Sequence, residues 1–372
     1  MEYNLCIIKP NRSSFSETFI QAHIDNLAGS KKVLYGGAFP VYDHENKFLI
    51  RSPWSKLSYL VKKRLFKSDN ISELDKALSS YLTAQNINVV LAEYGMIGAR
   101  IANACKLAGV PLVIHFHGAD AHHRPTVERY RKLYEQAFEY AKAIVVVSED
   151  MRKQLIDLGA PDSKLFLNPY GIDISKFFAV DVSSSMRNFI AVGRFVSKKA
   201  PLITLEAFKL LLDVYTDAHL WMVGDGPLLS TAKQRAKELN IEQKVTFTGI
   251  LSSTQIIGLF KKMRCFVQHS VTAVDGDMEG TPNTILEASS SALPIVSTRH
   301  AGIKDAVIDG VTGFLVEEND IKGMAERMLQ IAGSSELAAE LGVAGRLHMI
   351  NNYQMKDRIE ALDHILQNSI SR

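Results

Sequence analysis

The sequence predicts an α/β protein built from two Rossmann-like halves, each a parallel sheet covered on both faces, set against each other across a cleft. Three observations predict it. Short apolar runs alternate with stretches of helical period along most of the chain, the pattern of parallel strands buried on both faces. The alternation stops at a serine-bearing segment, 174–187, and restarts at Asn188. Glycine-rich or polar tripeptides follow one predicted strand after another, where ligands collect in such sheets.

Length and composition bound the rest. A chain of 372 residues suggests two to three domains and is long enough to bury two cores. The formal net charge of +3 excludes a wholesale nucleic-acid role. Residues 1–180 carry 23 Lys+Arg against 18 Asp+Glu, and the remainder 20 against 22, so the basic excess belongs to the first half. Cys6, Cys105 and Cys265 are odd in number, lack metal-ligand spacing and lie in apolar runs. They read as buried free thiols in a reducing compartment. The first residues read as a strand rather than a leader peptide, and no apolar run is long enough to span a membrane. The expected location is cytoplasmic.

In chain order, 3–9 is a strand broken by Pro10-Asn11-Arg12, 16–27 has helical spacing, and 33–35 before Gly36-Gly37 is a second strand. Residues 51–67 hold six basic residues and no acid, with Trp54, Leu57, Leu60 and Val61 among Lys56, Lys62, Lys63 and Arg64. This basic amphipathic segment is either a membrane-surface helix or a domain helix with a basic outer face. Strands at 88–92, 111–116, 143–147 and 164–167 follow, with helices at 97–107 and 149–158, the latter closed by Gly159. After the junction come strands at 188–192, 218–223, 245–247, 265–268, 294–297 and 313–316. Helices are expected at 203–212 and 229–238, and the region from Lys322 is mostly helical.

The stretch 275–299 concentrates the chemistry. Glu279 and Glu287 bracket Gly280-Thr281-Pro282-Asn283 and the start of an apolar helix. Thr281 is a candidate N-cap and Pro282 a first-turn proline. The free N–H groups and positive dipole end of that helix suit a phosphate, and a carboxylate beside a phosphate suits sugar hydroxyls. The bland alternative is a capped surface helix with two solvated acids. Arg194 and Lys199, after the strand 188–192, are two cations placed to neutralise a diphosphate, with Lys198 reading as solvated. His117 follows a strand end in His115-Phe116-His117-Gly118, beside a polar loop with His122 and His123; such a histidine is either a ligand contact or structural. Asp275-Gly276-Asp277 could hold a divalent cation, but the cations nearby favour a metal-free site in which the pair shapes a loop. No G-x-G-x-x-G follows the first strand, which argues against a dinucleotide enzyme.

These pieces resemble a retaining glycosyltransferase of family 4 with the GT-B fold. The matching segments are 192–201 (VGRFVSKKAP), 223–228 (VGDGPL), 245–249 (VTFTG), 279–289 (EGTPNTILEAS), 293–307 and 310–320 in the second half. In the first half they are 16–19 (SETF), 114–120 (IHFHGAD), 146–150 and 167–173. The resemblance implies an acceptor-side domain over 1–178, a nucleotide-sugar donor domain over 179–356, and a last helix, about 357–372, packed back on the first. It implies that Arg194 and Lys199 would hold the donor diphosphate with Gly280, Thr281, Pro282 and Asn283. Glu287 would take the ribose hydroxyls, Gly249 and Ile250 would meet the base, and Glu279 and His117 would act at the donor sugar. Gly118, Asp120, Ser16, Glu17, Asp275 and Asp277 are candidate sugar or acceptor contacts. Domain closure is expected to bring His117 and Glu279 together.

Departures from the family pattern, Lys199-Ala200 and Pro169-Tyr170-Gly171 among them, resemble the branch that builds bacterial surface polysaccharides, including colanic-acid-type enzymes. The expected donor is a UDP-sugar, with no metal or other cofactor. The expected acceptor is a glycan or lipid-linked glycan, with Trp54, Lys62, Lys63 and Arg64 as candidate membrane contacts and peripheral attachment at the inner face of the cytoplasmic membrane. A nucleotide-sugar epimerase of the same architecture and a non-catalytic nucleotide-sugar-binding protein are the rival readings.

Overall fold

The computed structural model describes residues 3–12, 18–66 and 72–371, the stretch 63–66 by its backbone alone. Two compact units divide it: residues 1–169 with 357–372, and residues 170–356. The division falls at 169/170, ahead of the serine-bearing segment taken above as the junction, because Ile172 already pairs with Gln354 inside the second unit.

The first unit holds β1 (Asn4–Lys9), α1 (Thr18–Asn26), β2 (Ser30–Tyr35), β3 (Tyr42–Asp43), α2 (Pro53–Phe66), α3 (Ser72–Ala84), β4 (Val89–Glu93), α4 (Gly95–Ala108), β5 (Leu112–His115), β6 (Ala143–Val146) and β7 (Leu165–Leu167). Its sheet runs β3-β2-β1-β4-β5-β6-β7, parallel except for β3. Strands β4, β5 and β6 are buried at every residue, as continuous apolar runs in a covered sheet should be. Helix α4 lies close to the sheet because Gly95 and Gly98 leave room. A Cβ on Gly95 would sit 2.0 Å from the Phe116 ring, and one on Gly98 2.7 Å from Ile114.

The second unit holds β8 (Asn188–Val192), β9 (His219–Val223), β10 (Val245–Gly249), β11 (Cys265–Gln268), β12 (Ile295–Thr298) and β13 (Gly313–Val316). Every pairing in the order β10-β9-β8-β11-β12-β13 is parallel. Each sheet reverses strand order once, between β1 and β4 in the first and between β8 and β11 in the second. Crevices at such reversals, beyond the carboxyl ends of the strands, are where open α/β sheets bind ligands.

Among the described residues, the longer helices not evident from the sequence are α3, Arg124–Tyr140 and Ser253–Phe260. Arg124–Tyr140 hides its signal among charges, yet Val127, Tyr130, Tyr134, Ala137 and Phe138 are buried at a three-to-four spacing. The helix at 149–158 ends at Asp157, and Gly159 follows with φ +96. Cys6, Cys105 and Cys265 are free and buried. Among the described residues no helix is long and apolar enough to cross a membrane.

Candidate functional site

In the second unit the strand ends at the reversal point bring the expected donor residues together. Lys199, beyond β8, lies with its Nζ 3.2 Å from Glu279 Oε2 and donates to Gln268 Oε1, the last residue of β11, at 3.2 Å. The pair is mostly buried, the side chains 15% and 9% exposed. Burial pushes the Lys199 ammonium down from its ordinary range, and the Glu279 charge pulls it back. Burial would raise Glu279, but Lys199 and Lys198 hold its carboxyl below the ordinary value. Glu279 Oε1 is buried without a hydrogen-bond partner, so one oxygen is engaged and the other waits for a donor.

The backbone N–H of Glu279 donates to His300 Nε2 at 3.1 Å. His300 Nδ1–H in turn donates to Glu318 Oε1 at 2.6 Å, which fixes the tautomer and ties the loop before the helix Asn283–Ser290 to the strand end after β12. Gly302 supports the same loop: its N–H donates to Gly280 O at 3.0 Å, and a Cβ there would lie 2.3 Å from that oxygen. The helix begins one residue later than expected. Pro282, not Thr281, is the N-cap, with φ −67 and ψ 113, and no side chain caps it. A proline has no side-chain acceptor to offer, so the first N–H groups of this helix keep their capacity for an anion. Thr281 is instead buried.

Glu287 lies one turn into this helix, and burial pushes its carboxyl up to about 7. Arg194 is exposed and, with Lys199, lines a small cavity of about 30 Å³ under β8. Gly224 has φ +133, and a Cβ there would lie 2.0 Å from Gly193 O. The Gly224-Asp225-Gly226-Pro227 turn is therefore a wall of the Arg194 loop. Gly249 ends β10 with φ +73, and Ile250 beyond it is 66% exposed. Lys198 corrects the sequence reading. It is not solvated but donates to Asp277 Oδ1 and Met278 O at 3.1 and 3.0 Å, while Asp275 Oδ1 accepts from the Asp277 N–H at 3.1 Å. The Asp-Gly-Asp segment is a self-bracing turn anchored by a lysine.

A family model described as Glycosyltransferase Family 4 matches residues 41–176, and one described as Glycosyl transferases group 1 matches residues 175–348. The two meet end to end and cover well over half the chain. The chain belongs to the family 4 glycosyltransferases. The glycosyltransferase is 28% identical to a protein of Escherichia coli K12 named for colanic acid biosynthesis, WcaL, over 65% of this chain and 60% of that one. It is 27% identical to the amylovoran biosynthesis glycosyltransferase AmsK of Erwinia amylovora, over 75% of this chain and 70% of AmsK. The chain thus spans about three fifths of the length of its colanic acid relative. Among solved structures, Anabaena HepE in complex with UDP and glucose superposes with a TM-score of 0.76 at 15% identity, covering 99% of this chain and 100% of that one. The glycosyltransferase shares that GT-B fold of two Rossmann-like domains.

In its first unit the glycosyltransferase gathers a different chemistry. His117 follows β5, its ring centroid 4.4 Å from that of His115. Its Nε2–H donates to Glu93 Oε2 at 2.9 Å, and Phe19 and Tyr94 pack on the ring at 4.5 and 4.7 Å. Asp120 is 0% exposed. Its carboxylate accepts from the N–H groups of Gly95, His117 and Gly118, so it clamps the loop rather than facing a ligand. Gly118 supplies the turn with φ +146. Ser16 and Glu17 lie outside the described residues, as do the side chains of Lys63 and Arg64. Trp54 is 82% exposed on α2, and Lys62 pairs with Glu73. His123 Nδ1 meets Thr126 Oγ1 at 2.7 Å.

Sequence reasoning missed Glu93, Gln268, His300 and Glu318. Each ends or follows a strand, and that position was the signal available.

Proposed function

We propose that this glycosyltransferase moves a sugar from a nucleotide donor, UDP-linked first of all, to a glycan or lipid-linked glycan acceptor in bacterial surface polysaccharide synthesis, with retention at the anomeric carbon and without a metal. The observation that carries the proposal is the buried Lys199–Glu279 pair beside the uncapped N-terminus of the helix Asn283–Ser290. Two cations and free backbone N–H groups suit a leaving diphosphate, on which negative charge grows as the glycosidic bond breaks. The open oxygen of Glu279 suits a sugar hydroxyl, and Glu287 suits a ribose diol.

In this reading the bond from the anomeric carbon to the donor phosphate oxygen breaks, and a bond to the acceptor oxygen forms on the same face. The acceptor proton passes to the departing diphosphate. Arg194 and Lys199 take the phosphate charge, Gly280, Thr281 and Asn283 hold phosphate and sugar, Gly249 and Ile250 meet the base, and His117 contacts the sugar. Asp277 is already paired with Lys198, which supports a structural rather than a cation-binding role for the Asp-Gly-Asp turn. UDP in the HepE complex supports the choice of base, and the names of WcaL and AmsK support the polysaccharide pathway. The exposed apolar residues of α2 support a lipid-linked acceptor met at the inner face of the cytoplasmic membrane.

The deciding experiment measures nucleotide release from UDP-, GDP- and ADP-sugars, with and without EDTA, with membrane lipid extract supplying the acceptor. Release from a UDP-sugar that the extract raises and EDTA leaves unchanged is the expected result. Release abolished by EDTA would overturn the metal-free site, and release confined to GDP- or ADP-sugars would overturn the base assignment.

A further inference from the structure

The helices on one side of the first sheet leave an open groove of about 500 Å³, within the roughly 300–1,000 Å³ range of pockets that hold small ligands. It is lined by α3, α4 and the helix Arg124–Tyr140, with Phe39, and all of its lining belongs to the first unit. Leu74, Asp75 and Ala102 form its buried part. Asn103, Lys106, Gln136 and Glu139 are exposed around them. The groove is separate from the residues gathered at the strand ends. Tyr140 Oη donates to Val110 O at 3.0 Å, ahead of the amino end of β5, whereas His117 follows the carboxyl end of that strand.

Asp75 is the most deeply buried charged side chain of the lining, 8% exposed. Asn103 Nδ2 donates to its Oδ2 at 2.6 Å, and among the described residues no donor reaches Oδ1. Burial pushes the carboxyl up, against the Asn103 bond and the charge of Arg100. Arg100 is thus near enough for Asp75 to feel its charge, yet it forms no ion pair or hydrogen bond through its side chain among the described residues. Its N–H fork stays open. A buried carboxylate with one oxygen unused weakens the fold. A hydroxyl group donating to that oxygen, with Arg100 donating to the hydroxyl, would offset the loss.

We propose that this groove binds a neutral, polyhydroxylated ligand, the chemistry of a sugar chain, with Asp75 Oδ1 accepting from one hydroxyl and Arg100 donating to its neighbours. The charges of the lining argue against an ion. Arg100 and Lys106 balance Asp75 and Glu139, so an anion would meet two carboxylates and a cation two basic groups. Hydroxyls both donate and accept, as do the amides of Asn103 and Gln136 beside them. Phe39 and Tyr140 add aromatic surface for the C–H faces of a sugar ring, and the bond to Val110 O holds the Tyr140 ring in place. Where the enzyme extends a glycan, as proposed above, the groove is a second attachment point that keeps the growing chain close. The binding itself does not depend on that reading.

The test titrates the full chain with short neutral oligosaccharides of glucose, galactose and mannose, read by saturation-transfer NMR, in the wild type, Asp75→Asn and Arg100→Met. The expected result is saturable binding of at least one oligosaccharide at millimolar concentration or below. Each substitution should weaken it about tenfold, the loss of one hydrogen bond to a charged group, with UDP affinity and melting temperature unchanged. Arg100 has no side-chain partner to lose, so Arg100→Met keeps the test decisive if Asp75→Asn disturbs α3. No binding by any oligosaccharide at millimolar concentration would overturn the proposal, as would binding that survives both substitutions. So would inorganic phosphate whose binding is lost in Arg100→Met, magnesium whose binding is lost in Asp75→Asn, or a dimer that Arg100→Met dissociates, since each gives the groove a different occupant. A chain that releases no nucleotide from any donor would sink the proposed transfer, while the titration would still decide the groove.

Discussion

Glu287 and Lys199 give the sharpest expectations at the scale of single residues. Burial raises the Glu287 carboxyl to about 7, whereas under the proposed function a ribose diol takes the carboxylate as its acceptor. Binding a nucleotide therefore favours the deprotonated form, and donor affinity should climb as pH rises, levelling off above about 7. Titration calorimetry of UDP between pH 5.5 and 8.5 should show this rise, and Glu287→Gln should flatten it. The same shift has the opposite sign for stability, because the folded chain keeps a proton that the unfolded chain gives up above about 4.5. Stability from this group is present at low pH and lost as pH passes through 7. Lys199 and Arg194 separate in another way. Lys199→Met leaves Glu279 buried and unpaired, so it should cost about 3–5 kcal/mol of stability as well as donor affinity. Arg194→Met, at an exposed side chain, should lower affinity with little change in melting temperature. Equal losses of stability in both variants would contradict the burial argument. Glu93 shows where sequence reading stops at this scale: its partners His23 and His117 are 70 and 24 residues away, and nothing local to a strand-end glutamate announces them.

Elements were legible where period alone defines them. Strands β8, β11 and β13 and the helix Leu229–Glu238 begin and end where apolar spacing puts them. The two-residue strand β3 and the charge-laden helix Arg124–Tyr140 lack a clear run and were invisible. The start of the helix Asn283–Ser290 was misread by one residue because a proline preceded by a threonine looks like a capped first turn. Its loop instead rests on Gly302, so Gly302→Ala should push Gly280 away and weaken UDP binding at least tenfold, with the fold retained; unchanged affinity in a well-folded variant would remove the loop from the phosphate site. Helix α2 carries its own prediction. Trp54, Leu57, Leu60 and Val61 are 82, 54, 50 and 43% exposed and fall on one stripe of the helix, whereas Tyr59 on the other side is buried against Ile50 and Leu74. Vesicles containing anionic lipid should retain the wild-type chain at low salt, and Trp54→Ser with Leu57→Ser should abolish retention without lowering the melting temperature.

At the scale of the whole molecule, the two-domain plan was readable because the strand–helix alternation restarts. The long-range return of 357–372 came from family resemblance and not from any period. That segment is fastened by side chains: Asp363 accepts from Tyr3 Oη at 2.8 Å and from the Ala28 N–H at 3.0 Å, and Asn168 Nδ2 donates to Arg358 O at 3.1 Å. Ile359, Leu362 and Leu366 are buried along it. Ending the chain at Lys356 should therefore raise hydrogen exchange at β1 and the end of α1 while β8–β13 keep their protection. Uniform loss of protection in both units would mean that the segment braces the entire chain.

The two crossings between units lie side by side: the Ile172 N–H donates to Tyr353 O at 2.7 Å, and the Met355 N–H to Ile172 O at 3.0 Å. The second unit is in effect an insertion, uninterrupted from its first residue to its last, whereas the first is assembled from both ends of the chain. Synthesis on the ribosome then reverses the order of the sequence. The unit begun first must hold its sheet unfinished while some two hundred residues pass, and the unit begun second is complete before it. A chain stalled shortly after residue 356 has left the tunnel would carry a closed second unit and a first unit still missing residues 357–372.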